Sequence, residues 1–286
     1  MGRASYFAKK TKRVNANIAM FNKALDSLKK TNPDVRIYAY LAESTYSLVF
    51  ADVMDPDSTM YKTLKAELHA DAFSHLQITG AEQCLSYYYT TDHHWNYRGS
   101  YQAYQDIVQL IVPQDYENRY VPTGTKTFDC VFNGSFAKGL KEAVSNEKFT
   151  VYIFDDFPCY TSYINGRKKE YTRYKNYMRG KYTKRTFDNH YGLFYGGDYA
   201  QVEFRNPDAS TKRHLLIIGN SFSNAVKPLL ARHFEDIVYI DLRHYEKTMR
   251  KTFSLSSCVS QYGITDVLFL SDIKLYALYD NLNMAP

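Results

Sequence analysis

The sequence predicts a layered α/β domain on a mainly parallel sheet, and three observations carry that reading. First, HLLIIG, IVYIDL and TDVLFL are continuous apolar runs of the kind found in strands buried on both faces. Second, helix-like stretches separate them, supplying the crossovers that parallel strands require. Third, 286 residues are enough to bury a complete core, and no composition break marks a boundary. Residues 1–286 therefore read as one unit, with a less regular, Tyr- and Lys/Arg-rich insertion at about 114–200.

The elements follow in order. The basic amino end lacks the apolar centre of a secretory signal and reads as an exposed helix start. Ile18, Phe21, Leu25 and Leu28 recur at helical spacing, so a helix is expected over 14–30, stopped by Asn32-Pro33. VRIYAYLAE reads as a strand and residues 58–76 as a second helix. SYYYTT reads as a short strand. Asn96 is a plausible N-cap for a helix with Ala103, Ile107, Leu110 and Ile111 on one face, ended by Pro113. FTVYIFDDF is a strand, and Asn165-Gly166 supplies the positive φ angles of a type I′ hairpin. SNAVKPLLARHF reads as mostly helical, with Pro228 either kinking it or lying in the first turn of its main part.

Composition narrows the class. Apolar content is 45% and charged content 23%, ordinary for a globular chain. A formal charge of +6 permits a polyanionic partner without requiring one. The four cysteines form no CxxC pair, which argues against a structural zinc site. No run of 18 apolar residues exists, so no membrane span is expected. The 28 tyrosines stand out. Tyrosine offers flat amphipathic contact to sugars, bases or proteins, but it is also a good strand residue.

Two stretches carry chemistry. In LLIIGNSFSN, Ser221 lies after a buried strand and before a helix, at the end of a parallel strand where α/β proteins hold ligands. Gly219 permits a sharp turn. Backbone amides at the helix start favour developing negative charge, the setting acyl transfer needs. This is not the G-x-S-x-G elbow, since no glycine follows the serine. Taken alone, Ser221 is either a helix cap or a nucleophile. In TTDHHWNYRG, Asp92 and His94 are two residues apart, so in extended backbone their side chains share a side while His93 points away. A serine hydroxyl needs a base near neutral pKa, and that base needs a carboxylate to fix its tautomer. Taken alone, this stretch is equally a polar loop around one buried tryptophan.

Asp-His-His also marks metal-dependent phosphoesterases, but His69, His75, His190, His214, His233 and His244 do not lie in matching Asp-rich motifs. No metal or other cofactor is expected. FNGSFAKG, around Gly134 and Ser135, offers either a further oxyanion donor or a loop glycine. Residues 167–185 hold nine Lys or Arg against one Glu, with four interleaved tyrosines, a pattern suited to an acidic polymer or to a solvated face. A nucleic-acid partner would rest on that stretch alone and is not expected.

TDHHW resembles the motif of the DHHW protein family. YGGDY, GNSFSN, YIDLRHY and GITDVLFL are similar to that family's blocks in the same order, over roughly residues 85–280. The family is similar to SGNH hydrolases and to bacterial proteins that O-acetylate alginate. The resemblance implies a three-layer α/β/α SGNH-hydrolase-like fold in which the Asp-His motif precedes the Ser motif. It implies Ser221 as nucleophile, His94 as base and Asp92 as its orienter. Asn220 stands where the usual SGNH block has Asp. Ser221 N–H, Arg243, Asn220 and Gly134 are the expected oxyanion or substrate-binding groups, and Trp95 and Tyr195 the expected glycan contacts. The implied activity is a serine-dependent O-acyltransferase or acetylesterase on a cell-envelope or secreted polysaccharide, anionic or not. A non-catalytic glycan-binding or assembly protein is the alternative. The implied partners are an acetylated or acceptor polysaccharide and a membrane-bound acyl donor. The implied location is extracytoplasmic: secreted, cell-surface or anchored through a segment outside this chain.

Overall fold

The computed structural model describes residues 11–42, 60–143, 146–277 and 284–286. The exposed start expected for residues 1–10 lies outside them. In chain order the strands are β1 Arg36–Ala42, β2 Ala72–His75, β3 Gly124–Val131, β4 Lys148–Ile153, β5 Thr161–Ile164, β6 Arg167–Lys168, β7 Gln201–Arg205, β8 His214–Gly219, β9 Asp236–Ile240, β10 Phe253–Ser254, β11 Asp266–Asp272 and β12 Met284–Ala285. The helices that matter below are α1 Thr11–Thr31, α2 Met60–Glu67, α3 Ala81–Tyr87, α4 Tyr97–Ile111, α5 Ser135–Leu140, α6 Tyr174–Met178, α7 His190–Tyr195, α8 Lys227–Leu230, α9 Leu242–Met249 and α10 Leu255–Tyr262.

The main sheet has eight strands in the order β2-β1-β11-β8-β9-β7-β5-β6. Neighbours from β2 to β9 are parallel, while β7, β5 and β6 join antiparallel at one side. The buried apolar runs behave as their composition requires. On β8, Leu215 and Ile217 enter one core while Leu216 and Ile218 enter the other, and β1, β9 and β11 alternate likewise. One core is covered by α1, α2, α9 and α10. The other is covered by α3, α4, α7, α8 and the β3/β4 pair. The result is helix on sheet on a mixed layer of helix and hairpin, with an apolar core on each face.

Several local expectations hold. The helical spacing at the start becomes α1, with Ile18, Phe21, Leu25 and Leu28 buried. Asn96 caps α4, its side chain accepting from the amides of Arg98 and Gly99. Asn165 and Gly166 both have positive φ and close the β5/β6 hairpin. Pro228 sits in the first turn of α8.

Others are corrected. The helix expected over 58–76 is α2 followed by strand β2; residues 58 and 59 fall outside the described residues. Asp71 ends it, because its carboxylate accepts from the Ile37 amide and draws the chain into parallel pairing with β1. SYYYTT is not a strand. Helix α3 runs through Tyr87, started by Gln83, whose side chain accepts from the Thr79 amide, and Tyr88 makes a single bridge to Trp95. SNAVKPLLARHF holds only the end of a 3-10 helix, Ser221–Ala225, and the short α8. Much of the tyrosine excess is core: Tyr40, Tyr104, Tyr177, Tyr191 and Tyr239 are among the largest fully buried side chains.

Candidate active site

β8 delivers the serine. It lies beside β11, and Gly219 faces Leu270 across the ladder. A Cβ at Gly219 would stand 2.3 Å from the Leu270 carbonyl oxygen, so close strand approach, rather than a turn alone, demands glycine there. Asn220 follows and caps the 3-10 helix that Ser221 opens, its Oδ1 accepting from the Phe222 amide at 3.2 Å. Its Nδ2 donates to Asp272 Oδ1 at 2.6 Å, tying the serine turn to the end of β11.

The loop before α4 delivers the imidazole. Tyr89 and Asn96 amides donate to His94 and Tyr87 carbonyls, closing a tight bend. Glu147 holds it from outside, accepting from the Thr90 and Thr91 amides at 2.7 and 2.8 Å. Within the bend, Asp92 Oδ1 accepts from the His94 amide at 3.0 Å and from His94 Nδ1 at 2.5 Å. The Ser135 amide, at the start of α5, donates to Asp92 Oδ2 at 2.7 Å. With Nδ1 protonated, His94 Nε2 is left as acceptor, and Ser221 Oγ lies 2.8 Å from it. Asp92, His94 and Ser221, 127 residues apart between the last two, thus form one continuous hydrogen-bonded chain.

Burial on its own would raise the Asp92 carboxyl. The bond and charge of His94, with His93 and the Ser135 amide, outweigh it and hold Asp92 well below the usual carboxylate range. Asp92 therefore stays charged beside the His94 ring. The same three-residue cluster brings potential metal-ligand atoms within 4.8 Å of one another. Of the ring nitrogens in that cluster, His94 Nδ1 already bonds Asp92, His94 Nε2 bonds Ser221 Oγ, and His93 Nδ1 bonds Ser135 Oγ at 2.7 Å. The residues fit proton transfer better than ion binding.

An open cavity of about 600 Å³ lies over the chain, walled by His93, His94, Tyr191, Asn220, Ser221 and Arg243 among others. His93 does not point away, as alternation would require. The backbone bends here instead of running extended, and the His93 ring lies 3.9 Å from that of His94. Burial, followed by the charge of His94, brings His93 down to about 3, so it is neutral at ordinary pH. Arg243 lines the cavity but is bonded through Nε to Asp241 at 2.8 Å and approaches Asp198 at 3.4 Å.

Three expected site residues are placed elsewhere. Trp95 is fully buried and packs edge-on against Phe222, so it supports the serine turn and cannot meet a glycan. Tyr195 borders an aromatic cleft with Tyr97 and Tyr101, away from the cavity over Ser221. Gly134 donates its amide to Thr91 Oγ1 at 3.1 Å and packs against Asp92, so it positions the carboxylate and offers no oxyanion donor. In residues 167–185 the cations are exposed, and among the described residues Lys184 alone forms an ion pair, with Asp129. Tyr171 and Tyr177 of that stretch turn inward and are buried.

Residues that sequence reading missed include Tyr191, stacked on His94; Asp272, which anchors Asn220; and Glu147, which props the loop. None lies near either motif in the chain, and only the fold brings them in.

The fold and site together define a mixed α/β protein with a Ser–His–Asp cluster at the carboxyl ends of parallel strands. The profile of the DHHW protein family matches residues 61–240, and the chain belongs to that family. Among solved structures it is similar to PatB1 of Bacillus cereus, with a TM-score of 0.69 and 22% identity over 93% of this chain and 91% of that one. PatB1 has also been solved with a sulfonyl adduct; that structure is 20% identical with a TM-score of 0.69, covering 94% of this chain and 89% of that one. A DHHW family protein from Eubacterium siraeum gives 0.65 and 18% over 92% and 86%. No curated protein sequence matches the chain. At these identities the likeness is one of fold.

Proposed function

We propose that this protein is a serine-dependent carbohydrate O-acyltransferase or acetylesterase on an SGNH-hydrolase-like fold with its Asp-His motif ahead of its Ser motif. One observation carries the reading: His94 bonds Ser221 Oγ through one nitrogen at 2.8 Å and Asp92 through the other at 2.5 Å. That arrangement is what turns a weak hydroxyl into a nucleophile.

In the first half-reaction Ser221 Oγ attacks an ester carbonyl carbon while His94 Nε2 takes its proton. The carbonyl π pair moves to oxygen, and the Ser221 backbone N–H, at the first position of its helix, faces that oxyanion. Collapse breaks the ester bond, and His94 returns the proton to the departing alcohol. The acyl group stays on Ser221. In the second half-reaction water, or a sugar hydroxyl, attacks the acyl carbon while giving its proton to His94; collapse breaks the Ser221 Oγ–acyl bond, and His94 returns that proton to Oγ. Asp92 keeps Nδ1–H in place throughout and offsets the positive charge on the ring.

The acceptor is a polysaccharide reached from the open cavity, whose walls are polar around the serine. The exposed cations of 167–185 suit an anionic chain. A membrane-bound acyl donor and an extracytoplasmic location belong to this reading, as does a single unit carrying the 114–200 insertion. No helix among the described residues is long and apolar enough to cross a membrane.

The test is acylation by p-nitrophenyl acetate. Ser221→Ala is expected to lose the burst by roughly 10⁴-fold or more, and a sulfonyl fluoride should label the wild type at Ser221 and leave the variant unlabelled. Equal burst rates in the two proteins leave a non-catalytic glycan binder.

A further inference from the structure

Among the insertion's contacts with the site, one residue lies directly on the His94 ring. Helix α7 is capped by Asn189, whose side chain accepts from the Gly192 amide. It is locked to α6 through Tyr177 OH and His190 Nδ1 at 2.9 Å. This places Tyr191 fully inside the protein. Its ring stacks on the His94 imidazole at 4.1 Å with only 11° between planes. Its hydroxyl donates to the Ser221 carbonyl oxygen at 3.1 Å and lies 3.4 Å from that of Phe222. The His93 ring lies 3.9 Å from the same imidazole. Two rings this close to one centroid, one of them face-stacked, must take opposite faces, since sharing a face would overlap their atoms. His94 is thus bonded at both edges and covered on both faces.

We propose that Tyr191 is a positioning residue for proton transfer between Ser221 and His94, a clamp that grips the base by its face and the nucleophile's peptide by its carbonyl. The proposal rests on the reading of Ser221 as nucleophile and His94 as base. The imidazole still has a torsional freedom about its Cβ–Cγ bond, which the hydrogen bonds at Nδ1 and Nε2 restrain only at the ring edge. A turn of a few tens of degrees about that bond carries both nitrogens off their partners and misaligns Nε2 with Oγ. Stacking on one face by Tyr191 and on the other by His93 removes that freedom. The hydroxyl bond removes the complementary one, a shift of the serine turn. The π face also favours the imidazolium that forms as Ser221 loses its proton. In this scheme Tyr191 acts through His94 and the Ser221 peptide, and its effect falls mainly on the rate of acylation.

The experiment compares Tyr191→Leu and Tyr191→Phe with wild type and Ser221→Ala. The readouts are the p-nitrophenol burst, its rate separated from KM, and the proton NMR resonance of His94 Nδ1–H, which needs no turnover. The leucine variant is expected to lower the burst rate by about 10²-fold with KM within about twofold, the cost of a displaced reacting group. Its Nδ1–H resonance should broaden or vanish. The phenylalanine variant keeps the ring, and should retain the resonance and lie within about tenfold of the wild-type rate. If the leucine variant does not fold, Tyr191→Met fills the volume without a π face and carries the same expectation. A folded ring-less variant with wild-type burst rate and resonance overturns the clamp. A burst that survives Ser221→Ala overturns the nucleophile reading instead, and the resonance still decides the clamp.

Discussion

Gly134 and Asp92 are packed so closely that a methyl group on the glycine would stand 2.2 Å from Asp92 Cβ and 2.5 Å from its Oδ2. The neighbouring Ser135 amide donates to that same Oδ2. A loop remote in sequence therefore sets where the carboxylate can sit.

Gly134→Ala forces one of the two loops to move. The expected cost is about 1–3 kcal/mol of stability, as in other overpacked sites. Because the displaced group orients His94, acylation should fall by about 10²-fold as well. Denaturant unfolding and burst kinetics on the same preparation check both. An alanine variant with wild-type burst rate shows that Asp92 does not depend on this contact.

His93 gives the protein a pH dependence of known sign. Folded, it takes up a proton only near 3, whereas in the unfolded chain it does so near the ordinary value of about 6.5. Between those values the unfolded state binds more protons, so stability falls as pH is lowered through that window. The Asp92 contribution has a different window, being lost only as pH drops below about 4. His93→Asn should therefore shrink the difference in unfolding midpoint between pH 7.5 and 4.5. An unchanged difference rules out His93 as a source.

Arg243 is paired with a fully buried carboxylate. Asp241 accepts from its Nε, Nη2 and backbone amide. Arg243→Ala strands that charge and should cost about 3–5 kcal/mol. Replacing both, Asp241→Asn with Arg243→Met, should recover most of it. Thermal or denaturant unfolding of the two variants is the measurement. A single variant that keeps wild-type stability points to Arg243 serving the cavity and not the fold.

The central sheet was legible because β8, β9 and β11 are buried on both faces and so carry unbroken apolar centres, with their charged and polar residues kept to the strand ends. Asp92, His94 and Ser221 were legible because each lies in a short dense motif. Tyr191, Asp272 and Glu147 were not, since a lone tyrosine, aspartate or glutamate has no local signature and acts only through contacts made by folding. Trp95 was misread for a related reason: an aromatic side chain looks the same in sequence whether it meets a sugar or a core. The 58–76 segment failed where one carboxylate, Asp71, overrode helical spacing through a bond to another strand.

The strand order carries one more consequence. β1 stands between β2 and β11, pairing Ile37 with Val267 across some 230 positions of chain. During synthesis this apolar ribbon emerges well before β11, the strand it pairs with along its whole length. Long-range parallel pairings of this kind close slowly, because the intervening loop must be ordered first. Until that pairing closes, β1 presents β11's place as an unpaired apolar edge, the kind of edge that invites association between chains.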